Sequence, residues 1–117
     1  MPVIGASGVA FEHVSREWRC KYNMDANGGP ADSASLKACE ALLQEYLPKM
    51  KALPSVEVRR VVCGGCGDFK VVLTQPCAAH DAWAAENFTF EAEFMEKLKA
   101  IEGTARHEAQ EYTFETL

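Results

Sequence analysis

One stretch of the chain constrains the fold more than any other: VVCGGCGDFKVVLTQPCAAH, residues 61–80. It holds a CxxC and a CxxH with ten residues between them, and in this interval Phe69, Val71 and Leu73 alternate with other residues. A period of two is typical of a β-strand that is buried on one face. We therefore predict a strand at Asp68 to Thr74, preceded by a glycine-dense turn.

Three further strands are predicted from the same kind of pattern. Val56 to Val62 is rich in branched residues, and the CGGCG turn joins it to the next strand as a hairpin. Val9 to Tyr22 alternates in polarity over its second half, and His107 to Leu117 alternates at the end of the chain. Both segments are predicted to be strands.

Two helices are predicted from apolar residues at three-to-four spacing. The first begins after the loop Asn23 to Asp32 and is expected to end near residues 45–47, or to kink, because Pro48 removes a backbone donor. Its candidate N-caps are Asp32, Ser33 and Ser35. The second is predicted as one continuous helix from about Ala78 to Ile101.

The predicted order of elements is therefore β-α-β-β-α-β. Two split βαβ units of this kind give a ferredoxin-like α+β sandwich, a four-stranded antiparallel sheet with both helices on one face. The 117 residues suit a single domain. We expect residues 1–8 to form a loose tail and residues 23–32 to form a long loop.

Composition narrows the class of function. The net charge is −5 and the 12 basic residues form no stripe, which argues against nucleic-acid binding. No apolar run approaches the roughly 18 residues of a membrane span, and the N-terminus lacks the pattern of a secretory signal. We therefore expect a cytoplasmic protein. Its five cysteines are then expected to be reduced thiols or metal ligands rather than structural disulfides.

Cys63, Cys66, Cys77 and His80 have the spacing of a four-ligand zinc site. The predicted strand opposes this hypothesis, since seven extended residues separate the two halves by over ~20 Å. Zinc thus remains an alternative, and no cofactor is predicted.

Cys63 and Cys66 also suggest a dithiol that cycles with a disulfide. The stretch VEVRRVVCGGCGDFK resembles the opening of selenoprotein W-type thioredoxin-like proteins, in which a strand runs into a CxxC. Redox chemistry at these two thiols is a second alternative.

A broader likeness runs from about Lys51 to the C-terminus. KALPSVEVRRVVCGGCGDFKVVL and FMEKLKAIEGTARHEAQEYTF resemble the ligand-sensing domain of Lrp/AsnC-type regulators, in the dimeric α+β barrel group. The resemblance implies a homodimer whose sheets pack face to face, with a small-ligand site near the turn that holds Gly65 and Asp68.

Two observations extend this interpretation. The predicted strands hold more large apolar residues than the interface between the sheet and the helices can bury: Trp18, Tyr22, Phe69, Tyr112 and Phe114. We therefore expect the face of the sheet that the helices leave open to be apolar and to pair with a second copy of the chain. Some barrels of this group are small enzymes acting on hydrophobic substrates, for which Arg16 would clamp an anion and Trp18 would form a wall.

No pattern in the chain establishes catalysis. The sequence favours a small dimeric protein that binds a ligand or a partner. Zinc binding, dithiol redox chemistry and a barrel enzyme are the alternatives.

Overall fold

A computed structural model describes residues 2–24 and 29–117 of the chain. Position 1 of the predicted tail and positions 25–28 of the predicted loop lie outside the described residues. The elements in chain order are β1 His13–Lys21, α1 Ala34–Lys51, β2 Glu57–Cys63, β3 Asp68–Pro76, α2 Cys77–Ala85, α3 Glu91–Lys99 and β4 Ala105–Tyr112.

The four strands form one antiparallel sheet in the order β2-β3-β1-β4. The predicted α+β class and the four-stranded antiparallel sheet are confirmed. β1 lies inside the sheet between β3 and β4, whereas β2 and β4 are the edges. The pairing of β1 with β4 shifts register between Arg19 and Lys21.

One face of the sheet packs against the helices and forms the core. Trp18, Phe69 and Leu73 from the central strands are fully buried there. The helices contribute Tyr46, Phe94 and other residues to the same cluster. Tightly packed apolar burial of this extent is the main stabilising contribution in a domain of this size.

The prediction of an apolar open face is wrong for three of its five residues, because Trp18, Tyr22 and Phe69 are buried in the core beneath the helices. Tyr112 lies on the open face, where its hydroxyl donates to Glu17 at 2.8 Å, and Phe114 is exposed. Every second residue of β1 points to the open face, which therefore also carries the charged side chains of Glu17, Arg19 and Lys21. Among the described residues, no helix is both long and apolar enough to cross a membrane.

Helix α1 begins after one of its predicted caps, and it does not end near residues 45–47, which was one of the two outcomes expected from Pro48. Ser33 is the N-cap, and its hydroxyl accepts a hydrogen bond from the Leu36 N–H at 3.2 Å. Pro48 lies inside the helix, which continues to Lys51. The last turn of the helix is stabilised by Met50, whose side chain is fully buried in the core. This burial offsets the backbone hydrogen bond that Pro48 cannot donate.

The second predicted helix is in fact two helices. α2 ends at Ala85 and α3 begins at Glu91, and Asn87, Phe88 and Phe90 between them have positive φ angles of 57°, 51° and 60°. The break turns both Phe88 and Phe90 onto the core, so their burial compensates for the strained backbone. Phe90 also fits a continuous helical stripe with Trp83 and Phe94, which is why the sequence pattern conceals the break.

The segment before β1 and the segment after β4 meet at one corner of the sheet. β4 is shorter than predicted and ends at Tyr112. In the segment that follows, a carboxylate oxygen of Glu115 accepts hydrogen bonds from the Glu12 and His13 N–H groups at 2.6 and 2.8 Å. Phe114 is exposed in this segment. Near the N-terminus, an isolated bridge pairs Val3 with Ala10 in a small exposed turn.

Candidate functional site: a disulfide in the hairpin turn

The turn between β2 and β3 contains a disulfide. Cys63, the last residue of β2, is bonded to Cys66, and their Cα atoms lie 5.5 Å apart. The Gly67 N–H donates to the Cys63 carbonyl at 3.0 Å, which closes the turn around the disulfide. Gly67 has a φ of 72°, a backbone conformation that favours glycine.

The space beside position 67 is also tight. A Cβ there would lie 3.3 Å from the Tyr22 carbonyl oxygen and 3.4 Å from the Met24 Cε atom. The Tyr22 N–H donates to the Gly67 carbonyl at 2.9 Å, and the Tyr22 hydroxyl donates to the Cys63 carbonyl at 2.9 Å. The turn is therefore fastened directly to the chain that leaves β1.

The two sulfur atoms have different surroundings. Cys66 is exposed and Cys63 is half-buried. The Cys66 N–H donates to the Cys63 Sγ atom at 3.1 Å, whereas an Asp68 Oδ2 atom lies 3.3 Å from the Cys66 Sγ atom. A disulfide sulfur carries no proton, so the second contact becomes a hydrogen bond only in a dithiol form. The two sulfur atoms of the turn therefore differ in exposure and in the polar groups that contact them.

Lys21 connects strand β1 to this turn. Its Nζ atom lies 2.5 Å from the Asp68 Oδ1 atom and donates to the Cys66 carbonyl at 3.0 Å. The hydrogen bond from Lys21, with the positive charge of that side chain, holds the pKa of Asp68 below its ordinary value. Asp68 is therefore a stable carboxylate beside the disulfide at neutral pH.

The structure divides the four predicted ligand residues between two places. Gly65 and Asp68 lie together in the turn, and a Cβ at Gly65 would meet no atom within 4 Å. Arg16 pairs with Leu73 on β3, five residues along the strand from Asp68, or roughly 17 Å away. Trp18 lies near Arg16 on the helix-covered face.

Arg16 and Trp18 bind the same carboxylate. Arg16 donates to Glu91 through Nε at 2.7 Å and through Nη2 at 2.9 Å, and the Trp18 Nε1–H donates to Glu91 at 2.7 Å. The Arg16 guanidinium also stacks on Phe88, 3.9 Å from the ring centre. These contacts connect strand β1 to helix α3.

The four residues of the zinc hypothesis are not brought together. Cys63 and Cys66 precede β3, while Cys77 and His80 follow it, and nine extended residues span roughly 30 Å. The Cys77 Sγ–H donates to the Glu12 carbonyl at 3.2 Å, and His80 Nε2 lies 2.9 Å from a Glu111 carboxylate oxygen. Within the described part of the chain, no three His, Cys, Asp or Glu side chains cluster as metal ligands would.

The remaining two cysteines form a buried pair. The sulfur atoms of Cys20 on β1 and Cys39 on α1 are 3.9 Å apart, and neither side chain reaches solvent. Contact with Cys39 and burial both raise the pKa of Cys20. Both cysteines are residues of the hydrophobic core.

Sequence patterns missed the contribution of Lys21 to the turn. Alternation along β1 places Lys21 on the open face, but the register between β1 and β3 decides that it lies opposite Asp68. That register joins segments far apart in the chain, and no local signal encodes it. The sequence contains only a weak indication of this contact. A lysine ends one strand and an aspartate of opposite charge begins another.

We compared the chain with known proteins. No protein-family model matches it, and no curated protein matches it in sequence.

Proposed function

We propose that this protein is a thiol–disulfide exchange module in which Cys63 and Cys66 cycle between a disulfide and a dithiol. One observation carries the proposal: the two cysteines are bonded within an exposed turn whose polar groups distinguish one sulfur from the other. A strand pair holds both ends of the turn, so opening the disulfide leaves the cysteines close enough to reform it.

The exchange begins at the exposed sulfur. A thiolate of the reducing partner attacks the Cys66 Sγ atom, a new S–S bond forms between them, and the Cys63–Cys66 bond breaks. The electron pair of that bond goes to the Cys63 Sγ atom, which leaves as a thiolate. A second thiolate of the same class then attacks the partner's sulfur in the mixed disulfide and releases Cys66, which takes up a proton.

The surroundings favour this direction of attack. A departing Cys63 thiolate accepts the hydrogen bond from the Cys66 N–H that already points to its sulfur at 3.1 Å. A hydrogen bond to the charged form lowers a thiol pKa, and a thiol with a lower pKa leaves faster. The protonated Cys66 donates in turn to the Asp68 carboxylate, so each sulfur has a partner in the dithiol form.

A redox titration tests the proposal. The native protein is equilibrated in buffers of reduced and oxidised glutathione, quenched with an alkylating reagent and analysed by intact mass. We expect one reversible two-electron couple within about −120 to −270 mV, the range of known exchanging proteins. Cys63→Ser and Cys66→Ser must each abolish it.

Cys77→Ser is the matched control, because it removes a partly exposed thiol outside the turn. This variant must titrate like the wild type. A disulfide that excess dithiothreitol cannot open without denaturant would show that the bond is structural, and the exchange proposal would then be abandoned.

The ferredoxin-like layout is likewise our proposal for the fold. It is supported by the strand order β2-β3-β1-β4 and by the position of α1 between β1 and β2 and of α2 with α3 between β3 and β4. In this layout the helices of both βαβ units lie on the same face of the sheet. The single core cluster, which contains residues of α1, α2 and α3, supports this arrangement.

A homodimer remains a proposal, with a changed interface. The edge strand β2 offers unpaired backbone groups and the side chains of Val61 and Val62, which are 43% and 44% exposed. Exposed edges of this kind favour pairing with another strand. Sedimentation at micromolar concentration tests it, and Val61→Lys should reduce any dimer, whereas a monomer throughout removes the proposal.

A further inference from the structure

The cleft beside the disulfide turn is lined by a larger share of basic residues than the protein as a whole. It has a volume of 260 Å³ on the open face of the sheet, and its charged residues are Arg19, Lys21, Asp68, Arg106 and Glu108. Three cations thus face two carboxylates there, although the chain carries a net charge of −5. A local excess of positive charge raises the concentration of small anions in a cleft.

One of these cations is held in an unusual backbone conformation. Arg106 has a φ of 53°, a left-handed value that is unfavourable for a residue other than glycine. It lies beside the point where the register of β1 against β4 shifts between Arg19 and Lys21. Irregularities of this kind redirect side chains, and here Arg106 lines the cleft.

Arg106 is also the cation whose charge is not already neutralised. Arg19 lies 2.6 Å from a Glu17 carboxylate oxygen, and Lys21 is paired with Asp68. The guanidinium of Arg106 has no hydrogen bond or ion pair to any side chain in the described ranges 2–24 and 29–117. It is therefore free to bind a carboxylate from outside the chain.

The cleft and the disulfide lie within reach of one small molecule. Lys21 lines the cleft and also contacts the Cys66 carbonyl. Arg106 is on β4, two strands from β3 and so about 10 Å across the sheet from Asp68. An extended molecule of three residues spans about that distance.

We infer that the reducing partner of Cys63–Cys66 is a low-molecular-weight thiol bearing carboxylates, bound in this cleft by Arg106. The inference rests on the proposed exchange function. The thiolate attacks the Cys66 Sγ atom and displaces Cys63 as above, while the carboxylate on the same molecule pairs with the Arg106 guanidinium.

A series of small thiols that differ in charge tests the inference. Glutathione is a thiol of three residues with two carboxylates, 2-mercaptoethanol is neutral and cysteamine is cationic. The rate of disulfide opening in the native protein is measured by quenching and intact mass, and each rate is corrected for the thiolate fraction of the reagent. We expect glutathione to react about tenfold faster than 2-mercaptoethanol, with cysteamine the slowest, and this order to weaken as salt rises.

Variants at Arg106 test whether this residue causes the preference for a thiol with carboxylates. Arg106→Gln should slow the reaction with glutathione about tenfold and leave that with 2-mercaptoethanol unchanged, and Arg106→Lys should restore much of the rate. The control is Arg60→Gln, which changes the net charge equally but removes an arginine that pairs with Glu40 at 2.7 Å outside this cleft. It should leave all three rates unchanged.

The possible failures are distinguishable. Equal rates for the three reagents, or equal slowing of all three by Arg106→Gln, would overturn the inference while the exchange function stands. Resistance of the native disulfide to every reagent would overturn both.

Discussion

Arg16 and Glu91 join the centre of the sheet to the first turn of helix α3 through two parallel hydrogen bonds of 2.7 and 2.9 Å. The Trp18 indole N–H donates a third hydrogen bond to the same carboxylate. Helix α3 begins after the strained residue Phe90, and no side chain caps its N-terminus. The negative charge of Glu91 near that end is favourable, and the pair with Arg16 sets where the helix starts.

The first prediction concerns the stability of this joint. Glu91→Gln should lower the free energy of unfolding by about 1–3 kcal/mol at pH 7, since it leaves the Arg16 charge partly buried without its partner. Glu96→Gln, which removes the same charge from an exposed position of α3, should change it by less than about 0.5 kcal/mol. Urea unfolding at equilibrium measures both, and equal effects of the two substitutions would contradict the prediction.

The second prediction is the pH dependence of the same contribution. Burial tends to raise the pKa of Glu91, but the hydrogen bonds from Arg16 and Trp18 and the Arg16 charge outweigh it and hold the pKa below its ordinary value. A folded-state pKa below the unfolded one stabilises the protein fully above the unfolded pKa, about 4.3 for Glu. That stability is lost as pH falls through the folded pKa.

The difference in unfolding free energy between wild type and Glu91→Gln should therefore be constant from about pH 8 to 5.5 and shrink below about pH 4.5. Urea titrations at half-unit steps measure it. A difference that grows on acidification would mean that Glu91 is protonated more easily in the folded state.

Local patterns were sufficient for the strands and for the first helix. Phe69, Val71 and Leu73 alternate because one face of β3 is buried, so the period of two gave the strand and its buried face. The break between α2 and α3 could not be predicted in this way. Phe90 has the spacing of a helical stripe with Trp83 and Phe94, but tertiary packing brings it and Phe88 to the core from a left-handed backbone conformation instead.

The third prediction separates two glycines of the disulfide turn. Gly67→Ala should destabilise the protein by about 1–2 kcal/mol, since alanine resists the left-handed conformation and its Cβ would crowd the Tyr22 carbonyl oxygen. Gly65→Ala is the matched control, because no atom lies within 4 Å of the added Cβ. It should change stability by less than about 0.5 kcal/mol.

Thermal unfolding of both variants in the disulfide form measures the difference. A shift in the unfolding midpoint for Gly65→Ala as large as that for Gly67→Ala would contradict the geometry of the turn described above.

The candidate site was partly visible in the sequence. CGGCG identified the turn and its two thiols, because glycine-dense turns and paired cysteines are local signals. The contributions of Lys21 and Arg106 depend on strand register and on a register shift, which arise only when distant segments pair. The error over the open face has the same origin, since counting large apolar residues does not tell which side of the sheet the helices cover.

The last prediction ranks the reactivity of the cysteines in the native, disulfide-bonded protein. Cys77 is partly exposed and should be alkylated by iodoacetamide. Cys20 and Cys39 are 2% and 0% exposed, and the raised pKa of Cys20 further reduces its thiolate fraction. Both should react more than about 10³-fold more slowly than Cys77, because labelling requires opening of the core, which costs most of the global stability. Peptide mapping after timed labelling measures the three rates, and modification of Cys39 as fast as Cys77 would mean that helix α1 does not cover β1 as described.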